Sequence, residues 1–167
     1  MSADQPPIAV IYDAHGAALA AFALDLTRCE ADARDVVQEI FCRLAREPSL
    51  LDKARNPRAF LLTMAYRMVV DLHRRQAVRE RHASEAVELF TPAPDPDETH
   101  FREAVAEAMA ELPPDQRAVI HLKLWEALTF EQIAETLGIP PNTAASRYRY
   151  GIDKLRTLLR PVYEEML

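Results

Sequence analysis

Glycine is scarce in this sequence of 167 residues, which contains only Gly16, Gly138 and Gly151. Tight β-hairpin turns and phosphate-binding loops need glycine, because their backbones adopt conformations that other residues disfavour. Few hairpins and no glycine-rich phosphate loop are therefore expected. Because helix-forming residues dominate the remaining sequence, we predict an all-α protein.

Cysteine and histidine are also scarce. Cys29 and Cys42 are too few for a disulfide scaffold and have no partners at metal-ligand spacing, so both are predicted to be reduced and in or near the core, a redox switch being the alternative. The five histidines show no HExxH-type spacing, and the sequence contains no nucleophile elbow. We therefore expect no metal site, no cofactor and no enzymatic activity.

The sequence lacks a long uninterrupted hydrophobic run. Its most apolar stretch, residues 8–26, is interrupted by Asp13, His15 and Asp25 and has no basic start, which argues against a signal peptide and a membrane span. Apolar and charged contents of 49% and 28% are close to a soluble globular average. We expect a cytoplasmic protein without membrane insertion.

Charge is distributed unevenly along the chain, although the net charge is only -6. Residues 53–82 contain eight basic and two acidic residues, whereas residues 83–111 contain one basic and eight acidic residues. A second basic group follows near the end: Arg147, Arg149, Lys154, Arg156 and Arg160. Both basic groups are candidate phosphate-contacting surfaces, the alternative being ordinary solvated helix faces.

A proline-rich segment, Thr91 to Glu98, divides the chain, because its three prolines cannot continue a helix. We predict two small helical domains, residues 1–84 and 102–167, joined by a Pro/Asp-rich linker, residues 85–101. Helix start and stop signals predict the following helices: 8–27, 32–46, 57–82, 98–111, 114–126, 130–137 and 142–160.

The second predicted helix has two distinct faces. An apolar stripe at helical spacing is expected to be buried: Val37, Ile40, Phe41 and Leu44. Asp35, Gln38 and Glu39, with Cys42, project from another face, where a partner could bind them. The alternative for this polar face is a solvated surface.

The third predicted helix begins after Asn56-Pro57, which is typical of a cap followed by proline at the first helical position. Its buried stripe is predicted to be Phe60, Met64, Met68 and Leu72, widened by Leu61, Ala65 and Val69. The helix also contains Arg58, Arg67, Arg74 and Arg75, with Tyr66 among them. Guanidinium groups beside an aromatic ring favour binding of single-stranded DNA or an unstacked base, although structural aromatics are common.

Residues 128–156 have the spacing of a helix-turn-helix. Gly138 fits the left-handed turn after the first helix, small Ala134 fits a close crossing, and Ile133, Leu137 and Ile139 are expected to fill the space between helices. Asn142 or Thr143 is predicted to cap a second helix whose first turns are suited to the DNA major groove. The alternative is a helical hairpin without DNA contact.

These segments resemble, in this order, the extracytoplasmic-function (ECF) group of the sigma-70 family. DARDVVQEIFCRL (32–44) is similar to the region-two helix that docks on the clamp coiled coil of the largest polymerase subunit, and NPRAFLLTMAYRMVVDLHRR (56–75) to the helix that melts the minus-ten element. Residues 111–156 are similar to region four, which recognises the minus-thirty-five element. The resemblance implies an alternative sigma factor that binds core RNA polymerase, at the clamp and flap, and promoter DNA, with an anti-sigma factor as a further partner.

Matching this chain to the family pattern implies a role for specific residues. Polymerase contact falls on Asp35, Gln38 and Glu39. Minus-ten contact falls on Asn56, Arg58, Arg67, Arg74 and Arg75. Minus-thirty-five contact falls on Thr143, Ser146, Arg147 and Arg149. Asp71 matches the pattern as a structural residue.

Four positions depart from the family pattern. Phe60 replaces the usual tryptophan and Arg67 the usual asparagine, while Ala144 and Ala145 replace a valine and a residue that is often basic or polar. We therefore expect promoter preferences that differ from the family norm. Two alternative functions remain at this stage: a plain helix-turn-helix regulator that works without polymerase, and a sigma-like decoy that binds a sigma antagonist without contacting DNA.

Overall fold

The computed structural model describes residues 7–52, 54–80 and 96–165. The described residues contain no β-strand, as predicted for an all-α protein. They form one short 3-10 helix, Pro48–Leu51, and seven α-helices: α1 (Ile8–Thr27), α2 (Glu30–Arg46), α3 (Pro57–Glu80), α4 (Pro96–Ala110), α5 (Pro114–Leu124), α6 (Phe130–Leu137) and α7 (Pro141–Glu165). The chain divides into two compact units, one containing α1 to α3 and the other containing α4, α5, most of α6, and α7.

The first unit is a three-helix bundle in which α1 packs against both α2 and α3. Its core includes Leu19 and Phe22 from α1, Ile40 from α2, and Leu61 and Leu62 from α3, all of which are almost fully buried. The predicted stripe of α2 is buried as expected: Val37, Ile40, Phe41 and Leu44. Burial of these side chains from water is the main force that holds the helices together.

The buried face of α3 matches the prediction in part, since Leu61, Ala65 and Val69 were predicted to widen the buried stripe. Leu61, Leu62, Ala65 and Val69 are buried, whereas the predicted stripe of Phe60, Met64, Met68 and Leu72 is only half-buried. Two adjacent apolar stripes occupy this helix, and periodicity alone does not decide which of them faces the other helices. The stripe that was wrongly predicted to be the core instead borders two surface grooves.

The start of α3 is fixed by Asn56, as predicted. Its Oδ1 accepts a hydrogen bond from the Ala59 N–H at 3.1 Å, and Pro57 occupies the first helical position. The side-chain oxygen thereby satisfies one of the N–H groups that a helix start leaves without a partner. Between α2 and α3, the 3-10 helix lies in the interval between the second and third predicted helices.

The second unit is organised around the turn between α4 and α5. Its core contains Ala108, Met109, Leu112, Ile120 and Leu155. Arg117 is buried in this core and donates hydrogen bonds to the carbonyls of Met109, Ala110 and Leu112, at 2.8 to 2.9 Å. One buried cation therefore donates hydrogen bonds to carbonyls at and just beyond the end of α4, where a helix supplies few N–H partners.

The helix-turn-helix forms as predicted, with one different cap. Thr129 and Gln132 cap α6 reciprocally, and Gly138 adopts the left-handed conformation with φ of 66°. The second helix, α7, begins at Pro141, and the Pro140 carbonyl accepts hydrogen bonds from the Thr143 and Ala144 N–H groups. Asn142 and Thr143 were predicted as alternative caps, but both lie inside the first turn of α7. Pro141 fits the first helical position, because the N–H that proline lacks would have no partner within the helix there.

Two further boundaries differ from the prediction. α7 continues through Pro161 to Glu165, although its end was predicted at residue 160. A proline inside a helix removes only one backbone hydrogen bond, and the half-buried Leu158 and Leu159 pack against the core just before it. α4 begins at Pro96, two residues before the predicted helix start at residue 98, so it includes residues 96–101 of the predicted linker. The rest of the predicted linker from residue 85, up to residue 95, lies outside the described residues.

Helix α1 is long and apolar enough, by length and composition, to cross a membrane. It nevertheless contributes Leu19, Phe22, Ala23 and Leu26 to the core of the first unit. A core helix meets the same length and composition criteria as a membrane span. One face of α1 therefore packs against α2 and α3, although only 22% of its most apolar stretch is buried in the described structure.

Candidate functional site

The polar face of α2 contains the three residues for which the sequence predicted polymerase contact. Asp35 and Gln38 are exposed, and Glu39 is about half exposed. The Glu39 carboxylate accepts a hydrogen bond from Arg43 Nε at 2.9 Å, one helical turn further on. That hydrogen bond, together with the positive charges of Arg43 and Arg46, lowers the pKa of Glu39 below its ordinary value. The face therefore keeps Glu39 ionised.

A groove of about 460 Å³ separates this face from α3. Asp35 and Glu39 line it from α2, and Asp71 and Arg75 line it from α3. At one end, Asp32 accepts a hydrogen bond from Gln76 Nε2 at 3.0 Å, which ties the two helices together. Arg75, for which the sequence predicted DNA contact, thus lies beside residues for which it predicted polymerase contact.

A second groove of about 370 Å³ lies on the other side of Arg43. Three arginines surround its half-buried apolar floor: Arg43 and Arg46 from α2, and Arg67 from α3. The floor is formed by Leu50, Phe60 and Met64, beside Thr63. Cations around an aromatic ring are able to hold a nucleic-acid backbone while the ring accepts an unstacked base.

The sequence prediction missed Arg43 and Arg46 as members of this arginine group. They lie in the last turn of α2, where basic residues also favour the negative end of the helix dipole. Their spacing of three residues places them on one face of the helix, and this was the signal that could have identified them. Their proximity to Arg67 depends on how α2 packs against α3, which the sequence does not reveal.

The remaining residues predicted to contact the minus-ten element are in different environments. The exposed Asn56 uses its side-chain oxygen to cap α3. Arg58 is half-buried at the start of the same helix. Arg74 is exposed and lies 3.9 Å from the Asp71 carboxylate, a weak surface ion pair. Asn56 and Arg58 therefore lie at the start of α3, whereas Arg67, Arg74 and Arg75 lie further along it.

The predicted upstream-element residues lie in the first three turns of α7. Thr143, Ser146 and Arg147 are half-buried and share one face, because residues three and four apart are neighbours on a helix. Arg149 is exposed, about 200° round the helix from Arg147, and its guanidinium carbon lies 5.3 Å from the centre of the Tyr150 ring. The structure therefore separates the two arginines of this helix.

Arg147 also has a partner that the sequence did not indicate. Its Nη2 lies 3.0 Å from Oδ2 of Asp115, in the first turn of α5. The two residues are separated by more than thirty positions along the chain. Arg147 is therefore paired with α5, whereas Arg149 is exposed to solvent.

Within the described ranges, no group of three or more histidine, cysteine, aspartate or glutamate side chains could hold a metal ion. Cys29 and Cys42 are free thiols and half-buried, near the core as predicted. The part of the chain that the structure describes is thus characterised by charged grooves and a helix-turn-helix.

Two protein-family models match the chain. Residues 11–79 match the model described as Sigma-70 region 2, and residues 102–155 match the model described as Sigma-70, region 4. The first match covers α1 to α3 up to residue 79, and the second covers most of α4, all of α5 and α6, and the greater part of α7.

Several curated proteins are similar over nearly the whole chain. The ECF RNA polymerase sigma factor SigL of Mycobacterium tuberculosis is 37% identical over 155 residues, which cover 90% of this chain and 87% of SigL. The sigma factor CarQ of Myxococcus xanthus is 29% identical, with 89% and 87% covered. The ECF sigma factor SigK of Mycobacterium sp. (strain KMS) is 30% identical, with 93% and 84% covered.

Two solved structures have a similar fold. The sigma factor RpoE of Bartonella quintana, in complex with the anti-sigma factor NepR, matches with a TM-score of 0.74 and 22% identity over 91% of this chain and 96% of RpoE. CnrH, in complex with the cytosolic domain of CnrY, matches with a TM-score of 0.64 and 24% identity over 96% and 92%. At these identities the two structures show the fold alone.

Proposed function

Because this chain belongs to the ECF group of the sigma-70 family, alternative sigma factors that direct transcription initiation, we propose which of its surfaces perform each part of that function. The observation that supports the assignment is the presence of both sigma regions, in order, with a 37% identical ECF sigma factor covering 90% of the chain. A plain helix-turn-helix regulator would not account for the match to region 2.

Core RNA polymerase binds the polar face of α2. Asp35 and Gln38 are exposed there, and Arg43 holds the adjacent Glu39 in its ionised form. A basic surface of the polymerase clamp coiled coil is the partner that two carboxylates and an amide on one helix face would attract. Region four makes a second contact, with the polymerase flap. The joint attachment of two weakly binding units raises the overall affinity of the complex.

The arginine-lined groove between the end of α2 and α3 binds the melted minus-ten element. Arg43, Arg46 and Arg67 supply positive charge, and Phe60 supplies a ring on which a base can stack. Asn56 and Arg58 at the start of α3, and Arg74 and Arg75 near its end, extend this basic surface along the DNA. Contacts to phosphates position the protein, and contacts to base edges provide sequence preference.

The minus-thirty-five element binds the N-terminal half of α7 through its major groove. Thr143 and Ser146 present short side chains near the helix start, and Arg147 and Arg149 extend from two different faces. Such a helix end approaches base edges while its arginines contact phosphates or guanine. The protein acts in the cytoplasm, where an anti-sigma factor that covers these surfaces would keep it inactive.

Run-off transcription tests these assignments. Core polymerase from the host, freed of sigma factors, is combined with the protein and a pool of host upstream DNA, and core binding is measured separately. We expect specific transcripts with the wild type, normal core binding without transcripts for Arg149→Ala, and loss of core binding for Asp35→Lys. Arg102→Ala, which replaces an exposed basic residue of α4 outside both basic groups, is the matched control and should transcribe as the wild type does.

Two other outcomes would contradict the proposal. Absence of core binding by the wild type would contradict the sigma assignment and favour the two alternatives, a sigma-like decoy that binds a sigma antagonist without contacting DNA or a plain helix-turn-helix regulator. Unchanged transcription with Arg149→Ala would remove Arg149 from the assigned surface. Because core binding and transcription are measured separately, the polymerase surface and the DNA surfaces are tested independently.

A further inference from the structure

The ion pair between Arg147 and Asp115 joins α7, the second helix of the helix-turn-helix, to α5. Arg147 Nη2 lies 3.0 Å from Asp115 Oδ2, and the two side chains are 28% and 61% exposed. Asp115 lies in the first turn of α5, where a carboxylate also interacts favourably with the positive end of the helix dipole. Both interactions favour the position of the carboxylate beside Arg147.

The close crossing of α5 and α7 determines where this ion pair forms. A Cβ atom at Gly151 would lie 3.0 Å from Ile120 Cγ1 and 3.5 Å from Gln116 Cβ, so the helices touch at the position without a side chain. Arg147 precedes Gly151 by one helical turn, and Asp115 precedes Gln116 by one residue. The backbone crossing therefore places the two charged side chains opposite each other.

An arginine held in this way differs chemically from a solvated one. Its guanidinium group has five N–H donors, so one carboxylate partner leaves donors available for a phosphate or a base edge. Since the orientation is already fixed, less side-chain entropy is lost when Arg147 binds DNA. Arg149, which is exposed and lies on another face, has no such support from α5 in the described structure.

We propose that Asp115 is a positioning residue for promoter selection, which orients Arg147 and thereby sharpens the base preference at one part of the upstream element. The inference rests on the proposed function, in which Arg147 contacts upstream DNA. It adds a residue on α5 to the determinants of specificity, although Asp115 itself carries the wrong charge for a phosphate contact.

The change in DNA binding caused by Asp115→Asn distinguishes a positioning role of Asp115 from a simple charge effect on DNA. Asp115→Asn removes a negative charge beside the DNA surface, so binding to arbitrary DNA should stay the same or become tighter. Loss of orientation should weaken binding to the preferred element only. The ratio of specific to non-specific affinity should therefore fall, by about two- to fivefold if the pair contributes as much as typical surface ion pairs do.

The test uses holoenzyme, assembled from host core polymerase and the full-length chain, and a pool of duplex DNA randomised across the upstream element. Bound DNA is sequenced for the wild type, Arg147→Ala, Asp115→Asn and the double variant. We expect Arg147→Ala to abolish the preference at certain positions, Asp115→Asn to weaken it at those same positions, and the double variant to match Arg147→Ala. Asp153→Asn, which removes an acid paired with Arg156 at 3.5 Å on α7, is the matched control and should leave the preference unchanged.

The outcomes separate this inference from the function on which it rests. If Arg147→Ala leaves every preference unchanged, the assignment of Arg147 to upstream DNA fails. If Arg147→Ala changes the preference but Asp115→Asn does not, the positioning role alone is overturned. A rise in affinity for preferred and arbitrary DNA alike with Asp115→Asn would also overturn it, because Asp115 would then merely compete with phosphates.

Discussion

Gly151 of α7 lies directly against Ile120 of α5, since a Cβ atom built at Gly151 would be 3.0 Å from Ile120 Cγ1 and 3.2 Å from Ile120 Cδ1. Ile120 is fully buried, so it has little room to move away. The absence of a side chain at Gly151 therefore determines how closely α7 approaches α5.

Gly151→Ala should destabilise the second unit by about 1 kcal/mol, because the strain of overpacking exceeds the gain in helix propensity. Trp125 is the single tryptophan of the chain and lies in this unit, so its fluorescence during urea unfolding reports the local stability. Adding Ile120→Val, which removes Cδ1, should recover part of the loss. A Gly151→Ala protein as stable as the wild type would show that the core accommodates the methyl group.

Arg117→Met should cost about 3 kcal/mol of the free energy of unfolding, because three carbonyls at the end of α4 lose a charged donor inside the protein. Lys154→Met is the matched control. The exposed Lys154 Nζ donates to the Glu111 carbonyl at 2.6 Å at the same helix end, but water can replace it, so its loss should cost under about 1 kcal/mol. The free energy of unfolding is measured by urea unfolding, followed by Trp125 fluorescence. If Arg117→Met and Lys154→Met lowered it equally, burial of the Arg117 hydrogen bonds would not explain the cost.

Local features of this protein were predictable from sequence, and features that depend on packing were not. The Asn56 cap, the left-handed Gly138 and the buried stripe of α2 each depend on a few neighbouring residues. The Arg147–Asp115 pair depends on how two distant helices cross. The buried face of α3 was predicted only in part for the same reason. Both of its apolar stripes were expected to be buried, and only the packing of α1 and α2 determines which of them is fully buried.

The Arg43–Glu39 pair predicts a measurable titration. Its hydrogen bond lowers the pKa of Glu39, so the favourable interaction is fully present above the pKa of the unfolded chain and is lost as pH falls through the folded value. Arg43→Gln should raise the Glu39 pKa, as followed by NMR of the side-chain carboxyl carbon. Arg46→Gln, which removes only a more distant charge, should raise it less; an equal shift would mean that the hydrogen bond has no special effect.

Asp35→Lys should weaken core polymerase binding by at least tenfold, because charge reversal replaces attraction to a basic partner by repulsion. Binding of labelled protein to core polymerase, measured at two salt concentrations, checks this, and the defect should shrink at high salt. Glu30→Lys is the matched control, since Glu30 is an exposed acid on the same helix that does not line the groove with Asp35 and Glu39. An equal loss for both variants would indicate a general charge effect rather than a docking face.

Arg67 is expected to determine one base of the minus-ten element. It lines the arginine groove beside Phe60 and Met64, whereas the family pattern has asparagine at this position. An arginine fork pairs with guanine, and an asparagine amide pairs with adenine, with a discrimination of about 1–3 kcal/mol for each good pair. Arg67→Asn should therefore change the preferred base at a single minus-ten position from guanine towards adenine, as measured by sequencing transcripts from a promoter library randomised there.

Arg74→Asn is the matched control, because Arg74 is an exposed arginine on the same helix that does not line this groove. This variant should lower transcription evenly across the library, because loss of a phosphate contact weakens all sequences alike. If Arg67→Asn also lowered transcription evenly across the library, Arg67 would be a phosphate contact, and the groove would not determine the preferred base.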